Sequence, residues 1–337
     1  MKHRNLAFIA FPVFIFFLAT NAWAKEEFRL RWGTYMTDSP TIAIEKDFAT
    51  KIMQRTNGRV RIDTFYAESI GKGDELLTLA GRGGVDMATA APGYYPNQLL
   101  FWRAYQTPFV FASPRQAIEV LMKSYEEIPV FKGEMDKMNI MWLFHQPNGD
   151  FWLSGKQQVT SIAQLKGKKV RSFGGDIPKG HAAIGAVPVS VPIQNIYESL
   201  QKGVLDYSYL PLPVGDAQKI TEVGKYFTGP ITAMSGHLIV IGKPAWNKLP
   251  KDIQEIFIDQ AKVTQKAYIE WLDGAIQQSM TNMKAIGGIF NPMPPAELAK
   301  WKAATPDLLE IWAKDVEAKG QGEMARRVIK RWRELIK

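Results

Sequence analysis

Cysteine is absent from this chain of 337 residues, and histidine is scarce. The first absence excludes disulfide bonds, thiolate metal sites and cysteine nucleophiles. The four histidines, His3, His145, His181 and His237, lie far apart and follow neither HExxH nor another short zinc-site spacing. We expect them to be packed or surface residues, and we predict neither a metal nor a cofactor.

Motifs of common enzyme classes are missing as well. The sequence has no G-x-S-x-G segment, and the glycines in "AGRGG" and "SFGGD" match neither G-x-G-x-x-G nor a Walker motif. Paired acids such as Glu126 and Glu127 lie in lysine-rich helical stretches, which is typical of solvated faces. We therefore predict a binding protein and no enzyme, with an exported α/β hydrolase as the alternative.

Only one long apolar run is present, at residues 6–18, "LAFIAFPVFIFFL". It follows Lys2 and Arg4 and precedes "ATNAWA", which is the layout of a secretory signal peptide with cleavage after Ala24. The alternative is a membrane anchor, but the run is shorter than the roughly 17–25 residues that a spanning helix needs. We predict a signal peptide at 1–24 and a periplasmic protein.

The net charge is +9, but the basic residues are dispersed except at the chain ends. Near the C-terminus, "RRVIKRWRELIK" places apolar residues on one side of a predicted helix, namely Val328, Ile329, Trp332, Leu335 and Ile336. This pattern favours a docked helix over a nucleic-acid site. We predict a monomer without a nucleic-acid partner. A basic surface also suits an anionic ligand or membrane, so an envelope-associated structural role is a further alternative.

Strand and helix patterns alternate along the chain. Alternating polarity predicts strands at 28–36 and 59–67, a helix follows Pro40, and a short buried strand is predicted at 85–89. This order is typical of a parallel α/β sheet, in which ligands bind outside the carboxyl ends of the strands.

The alternation restarts in the second half, and a helical pattern of more than about thirty residues follows Pro250. A chain of this length favours two lobes. We predict an α/β fold with mixed sheets, a hinge and a long lobe-spanning helix. The predicted parts are lobe I at 25–147 with a return segment near 236–290, lobe II at 148–235, and C-terminal helices at 251–337 that brace both lobes.

Arg171 lies in "KVRSFGG", directly after an apolar step and before Phe173 and two glycines. At the end of a buried strand, its guanidinium would face a cleft and bind a carboxylate through two parallel hydrogen bonds. A structural arginine paired with an internal acid explains this stretch equally well.

Several segments, in order over nearly all of the chain after residue 24, resemble the extracytoplasmic solute-binding proteins of TRAP transporters, the DctP family. "TPFVFAS" is similar to that family's proline–phenylalanine segment, and "LKGKKVRSFGG" to its L-K-G-x-K-x-R signature. "GAVPVSVPIQNIYESLQKGVLDY" is similar to the next motif, with Gly203 and Asp206 in place. The resemblance implies a periplasmic-binding-protein-like fold, Arg171 as the carboxylate-binding residue, and an integral membrane permease partner driven by an ion gradient.

Two departures from the family pattern concern the site. In members that bind acidic sugars, the stretch about twenty residues before the signature arginine is similar to G-x-R, whereas this chain has Phe151 and Trp152 there. Many members also have an amide residue before the proline of the segment that reads "YSYLP" in this chain. The site therefore loses polar partners and gains aromatic ones, so we predict a small organic monocarboxylate, aromatic or hydroxylated aliphatic. The candidate ligand-binding residues are Arg171, Trp152, Phe173, Asp176, Tyr207, Tyr209, Glu68, Tyr94 and His237.

Some of these candidates have a second interpretation. Trp152, Tyr207 and Tyr209 are also suited to the core of the lobe. Asp176, which follows the glycine pair, is predicted to accept hydrogen bonds from ligand hydroxyls.

Overall fold

The computed structural model describes residues 27–234 and 236–336, so the predicted signal peptide lies outside the described residues. The strands are β1 Phe28–Gly33, β2 Val60–Phe65, β3 Met87–Ala90, β4 Ile140–Gln146, β5 Phe151–Gly155, β6 Lys169–Ser172, β7 Val187–Ser190, β8 Tyr207–Pro211, β9 Tyr226–Thr232, β10 His237–Gly242 and β11 Ile289–Pro292. The α-helices are α1 Ala43–Arg55, α2 Leu76–Arg82, α3 Pro114–Glu127, α4 Pro129–Lys137, α5 Ile177–Ala182, α6 Ile196–Gln201, α7 Leu212–Ala217, α8 Lys243–Trp246, α9 Lys251–Ala285, α10 Pro295–Ala304, α11 Leu308–Glu317 and α12 Gly322–Leu335.

The strands form two mixed sheets. The first has the order β2-β1-β3-β10-β4, with β1 parallel to β2 and β3, and with β10 antiparallel to both neighbours. The second has the order β11-β9-β5-β8-β6-β7, with β6 parallel to β7 and β8, and with β5 antiparallel to β8 and β9. The α/β fold with two lobes and mixed sheets that the sequence predicts is confirmed.

Local sequence explains the β1-α1-β2 unit with which the first lobe begins. Alternation in β1 buries Leu30 and Trp32, and the Trp32 ring meets the Phe48 ring of α1 edge-on at 6.2 Å between centroids. The helix ends at the left-handed residues Asn57 and Gly58, where the Gly58 amide donates to the Met53 carbonyl at 2.8 Å. The chain is thus turned back into β2, parallel to β1.

The chain crosses between the sheets from β4 to β5, from β9 to β10, and again from α9 to β11. The last crossing adds residues 289–292 to the second sheet, beyond the predicted return segment near 236–290. The detailed domain boundaries stay a prediction.

Helix α9 links the lobes over 35 residues, a length of about 50 Å. Near its start, Gln260 accepts a hydrogen bond from Arg55 of α1 at 3.2 Å, and near its end Asn282 donates to Asp216 of α7 at 2.8 Å. It continues without interruption through Gly274. The predicted lobe-spanning helix is confirmed. Neither α9 nor any other helix in the described ranges is long and apolar enough to cross a bilayer.

The basic C-terminal helix α12 packs through its apolar side, as predicted. Val328, Ile329 and Trp332 are buried, and the Trp332 indole donates to the Ser124 hydroxyl of α3 at 2.9 Å. The Tyr105 ring lies 4.5 Å from the Trp332 ring. The helix is therefore part of the first lobe's core.

Glu45 is an unusual residue of this core. It lies in the first turn of α1, on the face that also buries Phe48 and Ile52, and neither of its carboxylate oxygens has a hydrogen-bond partner. Burial raises the pKa of its carboxyl to about 8. Glu134 is similarly buried, but it accepts hydrogen bonds from the backbone amides of Phe101 and Trp102.

We expect Glu45→Gln to stabilise the protein at pH 8, by an amount on the order of 4 kcal/mol in the free energy of unfolding. Because the folded pKa is raised above the ordinary value of 4.5, the wild type is most stable relative to the variant below that value. The stability of the wild type relative to the variant falls as the pH rises to about 8 and is constant above that pH. Urea unfolding at several pH values measures the difference.

Glu134→Gln is the matched control. Burial raises the pKa of the Glu134 carboxyl too, but only to about 7, because the backbone donors of Phe101 and Trp102 oppose the shift, so its difference from the wild type should change less with pH. A difference between Glu45→Gln and the wild type that does not change with pH would contradict the buried, unpartnered state of Glu45.

Candidate functional site

Arg171 lies near the carboxyl end of β6, where the structure brings the two lobes together. Val170 before it is fully buried, and Gly174 after it has a left-handed φ of +65°. A Cβ on Gly174 would be only 3.6 Å from the Cα of Gly93, which belongs to the turn after β3 in the first lobe. The glycine therefore allows the turn after β6 to approach the opposite lobe closely.

The Arg171 guanidinium is buried, and no residue of the described ranges gives it a negative partner. It is 3% exposed. Its Nε donates to the Val191 carbonyl and its Nη1 to the Tyr209 carbonyl, both at 3.1 Å. It forms no ion pair with a carboxylate of the described residues, and burial lowers its pKa from the ordinary value. Since a guanidinium has five N–H donors, several remain for a ligand.

Aromatic rings surround this cation in the second lobe. The Phe173 ring centroid lies 4.3 Å from the guanidinium carbon, a cation–π contact. Phe151 packs 6.0 Å from Phe173 and 5.0 Å from Tyr209, measured between ring centroids. The result is an apolar wall beside a single positive charge.

Two of the predicted site residues pack elsewhere in the second lobe. Trp152 faces the side of β5 opposite to Phe151, because successive residues of a strand face opposite sides, and its ring contacts Phe290 at 5.8 Å. Tyr207 is 4% exposed, and a Cβ on Gly155 would lie 2.5 Å from its ring. The contacts of Trp152 and Tyr207 therefore fit their second interpretation as core residues. Phe151, and not Trp152, lies beside Phe173 and Tyr209.

The first lobe contributes tyrosines opposite Arg171. Tyr94 contacts the guanidinium through its hydroxyl; burial raises the pKa of this phenol, and Arg171 opposes the shift. Tyr35 is 1% exposed, and its hydroxyl has no hydrogen-bond partner. Burial also raises the pKa of Tyr35, with Arg171 again acting against it. A buried hydroxyl without a partner beside a buried cation indicates a site for a polar ligand group.

Glu68 lies at the edge of this first-lobe surface. It is half-buried, has a left-handed φ of +64°, and its Oε1 accepts the Gly73 amide at 2.8 Å. The negative charge of Glu68 helps to raise the pKa of Tyr94, although burial is the main cause of that rise. Glu68 is therefore near the predicted site, held by its own loop.

Two histidines near Arg171 are neutral. Burial, with the charge of Arg171 adding to it, lowers the pKa of His181 and of His237 to about 3. His237 contacts the Gln146 amide oxygen through Nδ1 at 2.8 Å, and its ring lies 5.3 Å from Tyr35. Among the residues that the structure describes, no three potential metal ligands are grouped to hold an ion.

Asp176 lies at the N-terminus of α5 and is already paired. Its Oδ1 accepts Lys179 Nζ at 2.9 Å, and its Oδ2 lies 3.6 Å from Nη1 of Arg103 in the first lobe. Both carboxylate oxygens therefore have protein partners. Its predicted role as an acceptor of ligand hydroxyls is not supported by these contacts.

The structure adds Tyr35, Phe151 and His181 to the residues predicted from the sequence. Tyr35 follows β1 by two residues, at the strand end where parallel α/β sheets bind ligands, and this position was a usable signal. His181 has no such signal, because its approach to Tyr209, 4.8 Å between rings, depends on how α5 packs on the sheet.

Comparison with known proteins places this architecture in a family. Residues 35–315 match the family model DctP, described as bacterial extracellular solute-binding protein, family 7. The chain is similar to the 2,3-diketo-L-gulonate-binding periplasmic protein YiaO of Escherichia coli, with 24% identity over 268 residues that cover 78% of this chain and 80% of the relative.

Solved structures share the fold. DctP7 of Bordetella pertussis, an extracytoplasmic solute receptor binding pyroglutamic acid, has a TM-score of 0.81 at 19% identity and covers 90% of this chain and 99% of its own. A TRAP periplasmic solute-binding protein of Desulfovibrio salexigens with bound orotic acid has a TM-score of 0.81 at 20% identity and covers 91% and 99%.

We expect the imidazoles of His145, His181 and His237 to stay neutral from pH 8 down to about pH 4, since burial lowers the pKa of each to about 3. Imidazole NMR chemical shifts followed through a pH titration measure this. A midpoint near the ordinary value of 6.5 for His181 or His237 would mean that the surroundings of Arg171 are open to water.

Proposed function

This chain belongs to the DctP family of bacterial extracellular solute-binding proteins, family 7, and we propose that it captures a small organic monocarboxylate in the periplasm and delivers it to a TRAP-type membrane permease. The family is one of solute-binding proteins and not of enzymes, which weighs against the exported hydrolase. Binding then requires one fixed charge, a few hydrogen-bonding groups and a closed cleft.

The observation that carries this proposal is the buried Arg171 guanidinium, which has no carboxylate partner among the residues that the structure describes. A buried charge is costly unless it is paired. A ligand carboxylate would accept two parallel N–H bonds from the unused side of the guanidinium. Phe151 stands at the arginine position of the G-x-R pattern to which the family's acidic-sugar binders are similar. The site therefore lacks a second arginine at this position, which favours a ligand with a single carboxylate.

The surroundings of Arg171 favour a ligand whose body is flat and largely apolar. Phe151, Phe173 and Tyr209 line one side of the cation. The unpartnered Tyr35 hydroxyl on the opposite lobe supplies one polar contact for a ring oxygen, a ring nitrogen or a hydroxyl. The related proteins that bind pyroglutamic acid and orotic acid have ligands that join one carboxyl group to a polar ring, which fits an aromatic or hydroxylated monocarboxylate here.

Delivery to a permease follows from the same family membership. A binding protein performs no transport alone, so the partner is an integral membrane permease. The proposed periplasmic location depends on the signal peptide predicted at 1–24, which lies outside the described residues. The proposal includes one ligand per chain, no metal requirement and no nucleic-acid partner.

Variants of Arg171 test the proposal directly. Arg171→Ala should weaken binding by about 2–5 kcal/mol, as for a partner removed from a buried charge pair, or about 30-fold or more in Kd. Arg171→Lys keeps the charge but loses the planar fork, and should also weaken binding. Calorimetric titration with benzoate, orotate, pyroglutamate and glucuronate measures Kd, and mass spectrometry of acid released from native protein identifies the natural ligand.

Arg115→Ala is the matched control, because Arg115 is a surface arginine paired with Asp273 on α9 at 3.3 Å, and its Kd should equal that of the wild type. Thermal melts of the unliganded variants should be close to the wild type. If Arg171→Ala binds as tightly as the wild type, or does not fold, Arg171 is a structural residue and the site is elsewhere.

A further inference from the structure

The two lobes meet at several points where the chain does not cross between them. The Gly174 turn of the second lobe touches Gly93 of the first, and the Gln194 side chain donates to the Tyr35 carbonyl across the cleft at 3.1 Å. None of these four residues belongs to the crossing segments or to α9. The structure is therefore that of a closed cleft.

Arg103 is the charged residue at this meeting point. It lies in a 3₁₀ helix, Trp102–Gln106, of the first lobe and is 7% exposed. Its Nη2 lies 3.2 Å from an Asp315 oxygen of α11, and its Nη1 lies 3.6 Å from an Asp176 oxygen of the second lobe. A buried arginine thus has one acidic partner on its own lobe and one across the cleft.

The sequence around Asp176 suits this contact. A Cβ on Gly175 would lie 3.4 Å from Arg103 Nη1, so the small residue leaves room for the guanidinium. Lys179, one turn further along α5, pairs with the other Asp176 oxygen at 2.9 Å. The carboxylate is 5% exposed and is held between two cations.

We infer that Arg103 and Asp176 form an ion pair that exists only in the closed cleft and so determines how long the ligand stays bound. The inference rests on the proposed function. Neither residue needs to touch the ligand for this role. A contact present in one of two conformations shifts the equilibrium towards that conformation, and apparent affinity rises with the fraction of closed molecules.

Because this ion pair is buried, it affects the stability of the closed state more than a surface ion pair would. Salt screens exposed charges but affects buried ones much less. When the lobes open, water can solvate both groups, and when they close, both lose that water and gain each other in addition to Asp315 and Lys179. Removing Asp176 leaves Arg103 with Asp315 alone, and removing Arg103 leaves Asp176 with Lys179 alone. The closed state then loses its charged contact across the cleft, so it loses stability and the ligand leaves sooner.

The chain offers a matched control in Asp315. Asp176→Asn removes the partner across the cleft, whereas Asp315→Asn removes the partner on α11, which packs with the first lobe through Trp312 and Phe101. Both variants remove one carboxylate from the same guanidinium. Only the first should change lobe closure.

Binding kinetics give the first measurement. For each acid among benzoate, orotate, pyroglutamate and glucuronate that binds the wild type, Asp176→Asn and Arg103→Gln should raise Kd by about 10-fold, or about 1.4 kcal/mol. The change should appear as faster dissociation with little change in association, and it should be the same factor for every acid. Asp315→Asn should keep the wild-type Kd.

Distances between spin labels give the second measurement and do not depend on a known ligand. Because the chain has no cysteine, Gln98→Cys and Ala182→Cys, both exposed positions on opposite lobes, can be labelled selectively. Pulsed electron spin resonance then reports the closed and open populations. In unliganded protein, Asp176→Asn should reduce the population at the short distance relative to the wild type and to Asp315→Asn.

The outcomes separate this inference from the proposed function. If no acid of the panel binds the wild type but Asp176→Asn still shifts the distances, the proposed ligand class is wrong and the ion pair stands. If acids bind but Asp176→Asn and Asp315→Asn have equal dissociation rates and equal distances, the inference is overturned. A change in Kd that differs between acids would also overturn it, because it would mean that Asp176 contacts the ligand.

Discussion

The structure depends on one unsatisfied charge, the guanidinium of Arg171. It is 3% exposed, it donates hydrogen bonds to the Val191 and Tyr209 carbonyls, and the nearby histidines are neutral. Carbonyl oxygens orient a guanidinium but do not neutralise it. In the proposed function, closing the cleft around such a group is more favourable when an anion enters with it, so the electrostatics of this residue would couple ligand capture to lobe closure.

The fold places that charge where both lobes can reach it. Arg171 lies near the carboxyl end of β6 in one mixed sheet, and Tyr35 and Tyr94 follow β1 and β3 in the other. Helix α9 packs on α1 at one end and on α7 at the other. The lobes are thus joined along one side by crossing strands and a continuous helix. Across the cleft they meet through the Tyr94–Phe173 ring pair and through polar contacts such as Arg103–Asp176, which is an arrangement suited to hinge motion.

Closed-state contacts and ligand contacts are made by neighbouring residues with different partners. Within one turn after β6, Phe173 packs on the guanidinium of Arg171, Gly174 and Gly175 let the chain approach the first lobe, and Asp176 pairs with Arg103. In the proposed function, this short segment would contain a recognition element and a closure element side by side. This explains why two glycines stand between an aromatic residue and an acid.

The sequence by itself determined the alternation of strands and helices in the first lobe, the length of α9, the apolar side of α12 and the candidacy of Arg171, because these features depend on local periodicity and on a motif of adjacent residues. It did not indicate β5, whose five residues are all buried and so lack alternation, or β9, which contains an internal glycine and proline. Only the tertiary structure decided that Phe151 and not Trp152 faces Tyr209, that Tyr35 and His181 lie near Arg171, and that Asp176 pairs across the cleft. The physical reason is that the direction of a strand residue depends on register, and the partner of a charge depends on residues distant in the chain, neither of which a local pattern contains.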